Sequence, residues 1–567
     1  MKYFITYDNP LQRLLNIKLT LDTRNRSSLE FELPIWRPGR YEAANYAKNI
    51  QKIGAESGQG HELPIQKLKP SRWEVQCKGA NEVSIQYRYY AHEMDAGNSF
   101  LDERMVYINF INCLLYVEDR MNETHEVVLD LPQDYSIACG LKHQGHHLRA
   151  NSYYELVDSP MIASSSLDRH SYEVDGYKFH IWIQGKHNLD MKSLVAQFAQ
   201  FTQLQIEVMG DFPVPEYHFL FHILPYKHYH GVEHGASTVI TLGPSEEVNK
   251  KPFYNELLGV SSHELFHTWN ILKIRPVEMM PYHFGQPPVF PTGFVAEGFT
   301  TYYGDLFLKR SGVFSMSEYL FELEKLFSRH FLNRGRLSNS VYDSSVDLWF
   351  DGYQPGAPHK KSSIYIEGAV LALLLDLQIR LASEHERSLD DVMRILWDRF
   401  GKVQRGYSYD DIIAICEEVM GSSLNEFFNT YVKGTTDTKT IVTELLSKFG
   451  LNLSFVDRSN ILERALGIIL VKEGTNYNVV SIAPKSAGEN YFSVRDQIKS
   501  INDEAVDKWL EKSKYETNLV FDLVRDYQPV RLPLKLDLDS SYFKEPRVKK
   551  IEQDTEVQFA RKTWLHT

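Results

Sequence analysis

Hydrophobic and polar residues alternate along most of the first 185 residues. Short stretches such as SLEFELPIW, EVSIQYRYY and YKFHIWIQG are rich in β-branched and aromatic residues, and turn formers such as Asp8 to Pro10 and Arg37 to Gly39 separate them. A period of two with these residue types predicts half-buried strands. Because no helical pattern interrupts them, we expect a β-sandwich-like N-terminal domain over residues 1–187.

The pattern changes to helical spacing near Asp190. LDMKSLVAQFAQFTQLQIEVMG has apolar residues at helical intervals, the strand-like segments YHFLFHILPY and STVITLG follow, and helical patterns dominate from Phe253 to about Lys433. Ser388 and Ser408 each precede such a pattern and have an aspartate three residues later, a pair that satisfies free amides of a first helical turn. We therefore predict a second, mostly helical domain over residues 188–438.

Strand-like segments return after the linker GTTDTKT, which ends at Thr440. LGIILVKEG, YNVVSIAP and DQIKSIND surround SAGENYF, for which we predict a short helix, and VRLPLKLDL follows. These segments predict a small β-rich domain over residues 442–540 and leave residues 541–567 as a polar tail without a predicted fold. The fold class is accordingly multidomain α+β.

Composition narrows the class of protein. A chain of 567 residues is too long for one core, and 43% hydrophobic with 24% charged residues is ordinary for a globular protein. A net charge of −12 without basic clusters argues against nucleic-acid binding. We see neither a signal-peptide pattern nor 18 uncharged apolar residues in a row, so we expect a cytoplasmic protein with no membrane partner. The four cysteines lack CxxC spacing, so any metal must be bound by histidine and carboxylate.

The segment SSHELFHTWN, residues 261–270, carries the strongest chemical signal. Apolar residues recur around it at helical spacing until Pro276, so His263 and His267 project from one face of a predicted helix, about 6 Å apart. Both rings can then reach one Zn²⁺ ion, while Glu264 lies beside the metal, where it can accept a proton from the attacking water. The alternative is an ordinary amphipathic helix whose two histidines are surface residues.

A third ligand decides between these alternatives. Thirty residues downstream, GFVAEGFTTYYGDLFLKRSG predicts a second helix that ends at Gly312. Glu297 lies near its start between Ala296 and Gly298, small neighbours that let a carboxylate approach a metal closely. A glutamate at such a position is otherwise a solvated residue favoured by the helix dipole. A set of two histidines and one glutamate leaves the fourth zinc position to water, as catalysis requires.

HELFHTWN followed by FVAEGFTTYYGD resembles the glycyl aminopeptidase family of zinc metallopeptidases, and LPIWRPGRYEAANYAKNI resembles the N-terminal signature of that family. The resemblance spans nearly the whole chain. It implies a β-rich N-terminal domain, a thermolysin-like catalytic domain of the gluzincin type at 188–438, and a C-terminal PDZ domain. It also implies one Zn²⁺ ion per chain, with His263, His267 and Glu297 as ligands and Glu264 as general base.

Candidate substrate-binding residues come from a likeness to a related aminopeptidase family. GVEHGAST, which begins at Gly231, is similar to the GxMEN exopeptidase signature, and Glu233 stands where that signature has its amine-anchoring carboxylate. Val232 and His234 depart from the signature. Gly231, Glu233 and His234 are therefore candidates for binding the substrate, and a glycine-bounded turn with solvated charges is the alternative.

Tyr365 is the candidate donor to the oxyanion that forms at the attacked carbonyl. It resembles the tyrosine of the YxxG element in related aminopeptidases, and it opens a predicted helix after a polar loop. A tyrosine packed in the core is the alternative. The aspartate that thermolysin-like enzymes place four residues after the glutamate ligand is Thr301 here. Asp305 is a candidate at a different spacing for orienting a ligand histidine.

The C-terminal stretch RALGIIL together with DQIKSINDEAV is similar to a PDZ domain, although Arg495 replaces its usual glycine. Such a module binds a peptide C-terminus beside an open sheet edge, or it only packs against the rest of the protein. Together these features predict a zinc aminopeptidase for peptides with a free N-terminus, and the resemblance implies small first residues such as Gly or Ala. The alternatives are a zinc endopeptidase with the same site and a catalytically idle protein that binds peptides through its PDZ-like domain.

Overall fold

The first 165 residues fold into strands, as their alternation predicts. The computed structural model describes residues 1–351, 353–354, 356–512, 514–551 and 555–566. The N-terminal region contains one short helix, α1 (Tyr153–Val157), and fifteen strands: β1 (Lys2–Thr6), β2 (Leu14–Asp22), β3 (Ser28–Glu32), β4 (Ile50–Ser57), β5 (Glu62–Leu63), β6 (Ile65–Lys69), β7 (Arg72–Gln76), β8 (Glu82–Tyr90), β9 (Phe100–Leu101), β10 (Met105–Ile108), β11 (His125–Leu129), β12 (Ser136–Cys139), β13 (Lys142–Gln144), β14 (His147–Ala150) and β15 (Met161–Ser164).

These strands form three sheets. The largest has eight strands in the order β13-β14-β11-β1-β2-β8-β4-β5, and two smaller sheets have the orders β12-β15-β10-β9 and β3-β7-β6. In β2 every second residue is buried, with Leu15, Ile17, Leu19 and Leu21 in the core. The period of two in the sequence therefore becomes one buried face, and the β-rich N-terminal domain is confirmed.

A separate five-stranded sheet follows. Its strands are β16 (Asp168–Val174), β17 (Tyr177–Gln184), β18 (Glu216–Ile223), β19 (His228–His234) and β20 (Ser237–Gly243).

The strand order in this sheet is β16-β17-β18-β20-β19. β17 pairs in parallel with β18, and β19 pairs antiparallel with β20 at the edge. The predicted domain boundary at residue 187 cuts through this sheet and is therefore wrong. β16 pairs with β17 and β17 pairs with β18, so both strands belong to the second domain and the boundary lies near residue 165.

The second domain is mostly helical after this sheet, as predicted. Its helices are α2 (Met191–Met209), α3 (Lys251–Phe266), α4 (Thr300–Arg310), α5 (Met316–Leu332), α6 (Val341–Val346), α7 (Leu348–Asp351), α8 (Ile366–Ala382), α9 (Leu389–Leu396), α10 (Tyr409–Met420), α11 (Asn425–Phe427) and α12 (Lys439–Lys448).

Two helices begin where the sequence predicts, and one helix ends earlier than predicted. The capping boxes at Ser388 and Ser408 are both present. The helix predicted to run on towards Pro276 instead ends at Phe266, because the chain turns after His267 and the side chain of Asn270 donates to the backbone carbonyl of Val295 at 2.9 Å.

The small C-terminal module has its own hydrophobic core, formed by residues between 461 and 538. Its elements are β22 (Ile468–Glu473), β23 (Asn476–Ile482), β24 (Gln497–Ile501), β25 (Glu504–Ala505), α13 (Val506–Leu510), β26 (Asn518–Arg525) and β27 (Gln528–Lys535). SAGENYF contains a 3₁₀ turn at Ala487–Asn490, where we predicted a short helix. The β-rich character is as predicted.

The prediction of a polar tail after residue 540 is wrong. β21 (Leu451–Asp457) leads into the module, β28 (Lys544–Lys550) leads out of it and pairs antiparallel with β21, and α14 (Thr555–Leu565) follows. Residues 552–554 and 567 lie outside the described residues. Trp564 and Leu565 are fully buried in the main core, so apolar burial orders this segment despite its polar composition. The module is therefore inserted between two paired strands, and its own core is narrower than the predicted 442–540.

None of the helices in the described part of the chain combines the length and the apolar character that a membrane span requires.

Candidate active site

The two histidines of the HELFH segment lie at the C-terminal end of α3 with their ring nitrogens facing each other. His263 Nε2 and His267 Nε2 are 3.0 Å apart. His267 Nδ1 lies 2.6 Å from the backbone carbonyl of Asn270, and since a carbonyl only accepts, Nδ1 carries the proton. The lone pair of the neutral ring is therefore on Nε2, on the side of His263. This geometry brings both predicted histidine rings to one point.

Glu297 joins the two histidines from a neighbouring helix. It lies in a π-helical turn, Phe294–Phe299, directly before α4, a form of helix frequent at functional sites. Its Oε2 is 3.4 Å from His267 Nε2, and one ligand atom from each of His263, His267 and Glu297 lies within 4.8 Å of the others. The three predicted ligands are thus brought together.

The electrostatics of this group suit a divalent cation. Burial alone lowers the pKa of His267, but the carboxylates of Glu233 and Glu297 raise that pKa to about 10. A field that holds a proton on a buried imidazole also stabilises a metal cation at the same place. Among the described residues, Glu233 Oε1 and Glu264 Oε2 are buried without a hydrogen-bond partner. Two imidazoles and a carboxylate are the usual protein ligands of catalytic zinc, so the residues present fit that ion.

Glu264 lies beside the three candidate ligands and against Gly231 of the edge strand β19. A Cβ atom at Gly231 would lie 2.2 Å from Glu264 Oε1, so glycine is what allows the carboxylate to occupy this position. Burial raises the pKa of Glu264 well above its ordinary value, and the nearby carboxylates of Glu233 and Glu297 raise it further. Such a glutamate is a stronger proton acceptor than a solvated one.

The predicted substrate-binding residues lie on opposite faces of the edge strand β19. Glu233 and Gly231 lie on one face because side chains alternate along a strand, and Glu233, Glu264 and His267 have ligand atoms within 4.8 Å of one another. His234 does not reach this group. Its Nδ1 lies 3.1 Å from Asp158 Oδ1, which corrects the prediction that His234 lines the substrate site.

Tyr365 immediately precedes α8 and lines the same cleft as His263 and Glu264. Its hydroxyl lies 3.3 Å from that of Tyr353. Burial raises the pKa of Tyr365 well above its ordinary value, and the carboxylate of Glu297 adds to the effect. The hydroxyl therefore stays protonated and is available as a donor.

The partner of a ligand histidine is a backbone carbonyl rather than an aspartate. Asn270 supplies that carbonyl to His267, and its own side chain donates to Thr300 Oγ1 at 3.0 Å. Asp305, the candidate from sequence, lies instead towards Gly259, and burial and Glu322 raise its pKa to about 7. The WN dipeptide after HELFH was the sequence signal for this arrangement.

Tyr41 and Gly39 of the N-terminal domain lie against the carboxylates of the site, and the sequence assigns neither of them to it. The hydroxyl of Tyr41 donates to Glu297 Oε1 at 2.6 Å. Gly39, with φ +76°, lies so close to Glu233 that a Cβ atom there would be 2.4 Å from Glu233 Oε2. Both belong to the WRPGRY stretch, which the sequence indicates as a turn and as part of a family signature.

The site opens into a cleft of about 680 Å³ between the N-terminal segment, β19, α3 and α5. Gly39 and Arg40 line it from the N-terminal domain, and Lys325 and Arg329 line it from α5. A cleft of this volume is within the range of small-molecule and short-peptide sites.

A second group of possible ligands, His180, Glu216 and His218, lies on β17 and β18. These atoms already have partners: His180 Nε2 is 2.5 Å from Glu216 Oε1, and Trp182 Nε1 donates to His218 Nδ1 at 3.1 Å. Arg169 also brings positive charge to within 3.3 Å of His180 Nδ1. We assign this group to the hydrogen-bond network of the sheet and not to an ion.

The site has a buried group of two histidines and a glutamate, with a further glutamate beside it in an open cleft. This arrangement is typical of metallopeptidases with an HExxH segment. Residues 2–165 match the family model described as the peptidase M61 N-terminal domain, and residues 256–371 match that of the M61 glycyl aminopeptidase. The chain therefore carries both domains of the M61 glycyl aminopeptidase family, and it is a metallo-aminopeptidase.

One solved structure is similar along the whole chain and others along part of it. An aminopeptidase N family protein from Idiomarina loihiensis is 25% identical, with a TM-score of 0.91, and the match covers 100% of this chain and 99% of that one. An M1 zinc metallopeptidase from Deinococcus radiodurans is 14% identical over 77% of this chain and 93% of that one, with a TM-score of 0.48. No curated protein sequence matches the chain significantly.

Proposed function

We propose that this metallo-aminopeptidase binds one zinc ion per chain through His263, His267 and Glu297 and removes the first residue of peptides. The observation that carries the proposal is the 3.0 Å approach of the two Nε2 atoms, with Glu297 Oε2 at 3.4 Å, next to the unpaired oxygen of Glu264. Zinc, when bound, would polarise the attacked carbonyl group and activate the attacking water.

Residues of the chain act as the general base and as the donor to the oxyanion. Glu264 accepts the proton of the attacking water and passes it to the leaving amine, for which its raised pKa suits it. Tyr365 donates a hydrogen bond to the oxyanion that develops at the carbonyl. Gly231 leaves room for the carboxylate of Glu264 and lines the cleft that the substrate would enter along the edge of β19.

Glu233 is the proposed anchor of the substrate α-ammonium group. Its carboxylate is buried, one of its oxygens has no partner among the described residues, and Gly39 lies against the other. An unpaired buried carboxylate favours a cationic partner, since leaving the charge uncompensated is costly. A preference for Gly or Ala as the first residue, and binding of a peptide C-terminus at the C-terminal module beside the edge strand β22, stay predictions.

The experiment compares the wild type with Glu264→Gln on alanine p-nitroanilide and on short peptides, together with zinc content by elemental analysis. We expect one zinc per chain in both proteins and a fall in kcat of about 10²–10⁴-fold in the variant, the range that general acid–base catalysis contributes. Equal activity of the two proteins would contradict the proposed base. Zinc in both with turnover in neither would favour the idle peptide-binding protein.

A second arm of the same experiment separates the exopeptidase from the endopeptidase. N-acetylated peptides lack the ammonium group that Glu233 would bind, so we expect no cleavage of them. Glu233→Gln should raise KM for free peptides, because the buried negative charge is removed. Equal cleavage of free and acetylated peptides would show that the same site acts as an endopeptidase.

A further inference from the structure

Tyr41 connects the N-terminal domain directly to the candidate metal centre. It is separated from Glu297 by 256 positions, and its hydroxyl donates to Glu297 Oε1 at 2.6 Å in a buried setting. Only 1% of the Tyr41 residue surface is exposed. Water therefore does not compete for this hydrogen bond, and the carboxylate has a fixed donor on one of its two oxygens.

The ring of Tyr41 is held from several sides. The ring of Phe290 lies 5.5 Å away, and that of Trp349 lies 6.3 Å away in an edge-to-face arrangement. The backbone N–H of Tyr41 also points to the hydroxyl of Tyr353 at 3.4 Å. Packing and backbone contacts together set where the hydroxyl stands, so it can orient a neighbouring group.

We propose that Tyr41 is a positioning residue that reserves one oxygen of Glu297 for the metal ion. With Oε1 engaged by the Tyr41 hydroxyl, Oε2 is the oxygen that faces the nitrogen of His267. A carboxylate fixed in this way offers one ligand atom instead of two. A catalytic zinc site needs its fourth position open for water, and partners behind the ligands hold them in the required orientation.

This inference rests on the proposed function, since it takes Glu297 as a metal ligand. It adds that the N-terminal domain completes the metal centre and does not only cover the cleft. The WRPGRY stretch then has two roles. Gly39 leaves room for the carboxylate of Glu233, and the hydroxyl of Tyr41 donates to the carboxylate of Glu297.

The test is Tyr41→Phe in the full-length protein, which removes the hydroxyl and keeps the ring. The measurement is the zinc dissociation constant, by competition with a chromophoric chelator, and kcat at saturating zinc is measured alongside. We expect zinc binding to weaken by about 10–100-fold, the effect typical of losing a partner of a metal ligand.

Tyr153→Phe is the matched control. The Tyr153 hydroxyl is also buried and donates at 2.7 Å to the backbone carbonyl of Leu114, and neither residue lines the cleft, so this variant loses a buried hydrogen bond outside the site. We expect its zinc affinity to equal that of the wild type. If Tyr41→Phe is less stable, zinc binding is compared through the rise in Tm that zinc causes in each variant, measured against the same variant without zinc.

Glu297→Gln separates failure of this inference from failure of the proposed function. If Glu297→Gln weakens zinc binding and Tyr41→Phe does not, or no more than Tyr153→Phe does, the role of Tyr41 is refuted while the zinc site stands. If the wild type binds no zinc, or Glu297→Gln leaves binding unchanged, the proposed site itself is wrong and the inference falls with it.

Discussion

At the scale of single residues, Gly231 is a position where the absence of a side chain determines the geometry of the active site. A Cβ atom there would lie 2.2 Å from Glu264 Oε1 and 2.8 Å from Val260 Cγ2. Gly231→Ala should therefore displace the proposed base, and a shift of about 1 Å at a reacting group can lower the rate about 100-fold. The measurement is kcat/KM on alanine p-nitroanilide, with Tm as a check on folding.

Gly54→Ala is the control for that substitution. Gly54 is also a strand glycine, on β4, and a Cβ atom there would meet nothing within 4 Å. We expect its activity to match the wild type. Equal activity of Gly231→Ala and the control would show that Glu264 does not need its present position.

Sequence reasoning found most of the residues on α3 and the following helix, because their spacing is local. His263, Glu264 and His267 lie within five positions, and helical geometry alone predicts that the two rings meet. Tyr41 was out of reach, since its contact with Glu297 depends on how two domains pack. His234 was assigned from a motif, but the alternation of β19 turns it to the opposite face, towards Asp158.

At the scale of elements, the two capped helix starts were predicted better than the end of α3. A serine with an aspartate three residues later is a local signal, and both capping boxes are present. α3 ends earlier than its apolar periodicity indicates, because the carbonyl of Asn270 hydrogen-bonds to the His267 ring and the Asn270 side chain is tied to Val295. Tertiary hydrogen bonds of this kind leave no trace in the spacing of apolar residues.

The contact between the π-helical turn of Glu297 and α8 depends on two glycines. A Cβ atom at Gly298 would lie 2.3 Å from the Cα atom of Gly368, a backbone atom that cannot rotate away. Gly298→Ala should lower the free energy of unfolding by about 1–3 kcal/mol, as overpacking does. It should also weaken zinc binding, because it moves the neighbour of Glu297. Urea unfolding and chelator competition measure the two effects.

Gly259→Ala is the control, because it adds the same methyl group to α3 where there is room. The nearest atom to its Cβ would be Asp305 Oδ1 at 3.6 Å, an ordinary contact. Alanine favours the helix by up to about 1 kcal/mol, so this variant should be as stable as the wild type or more so. A Gly298→Ala protein that unfolds at the same urea concentration as the control would contradict the close helix contact.

At the scale of the whole molecule, the sequence predicted the succession of β-rich, helical and β-rich parts but not their borders. The first border was placed at residue 187 since β17 has the same alternation as the strands before it. Only its pairing with β18 assigns it to the second sheet. The prediction of the last border was wrong for a related reason. β28 and α14 are polar in composition, and their burial depends on a partner strand and a core formed by distant residues.

The C-terminal helix α14 should stabilise the catalytic domain through Trp564. Its indole N–H donates to the Tyr302 hydroxyl at 2.9 Å, that hydroxyl donates to Asp376 Oδ2 at 2.6 Å, and Arg310 Nε donates to the Trp564 carbonyl at 2.8 Å. Trp564→Ala would leave a cavity and lower the free energy of unfolding by about 3–5 kcal/mol. Activity well below the Tm should be retained, since these residues do not line the cleft.

Phe559 lies on the same helix but is 54% exposed, so Phe559→Ala serves as the control for Trp564→Ala. A substitution at an exposed position changes stability by about 0.5 kcal/mol or less. Urea unfolding of the two variants and the wild type gives the comparison. If Trp564→Ala unfolds at the same urea concentration as Phe559→Ala, α14 does not support the catalytic domain. A loss of stability in Trp564→Ala but not in Phe559→Ala would show that the segment after the C-terminal module packs into the core of the catalytic domain. The sequence indicated only a polar tail there.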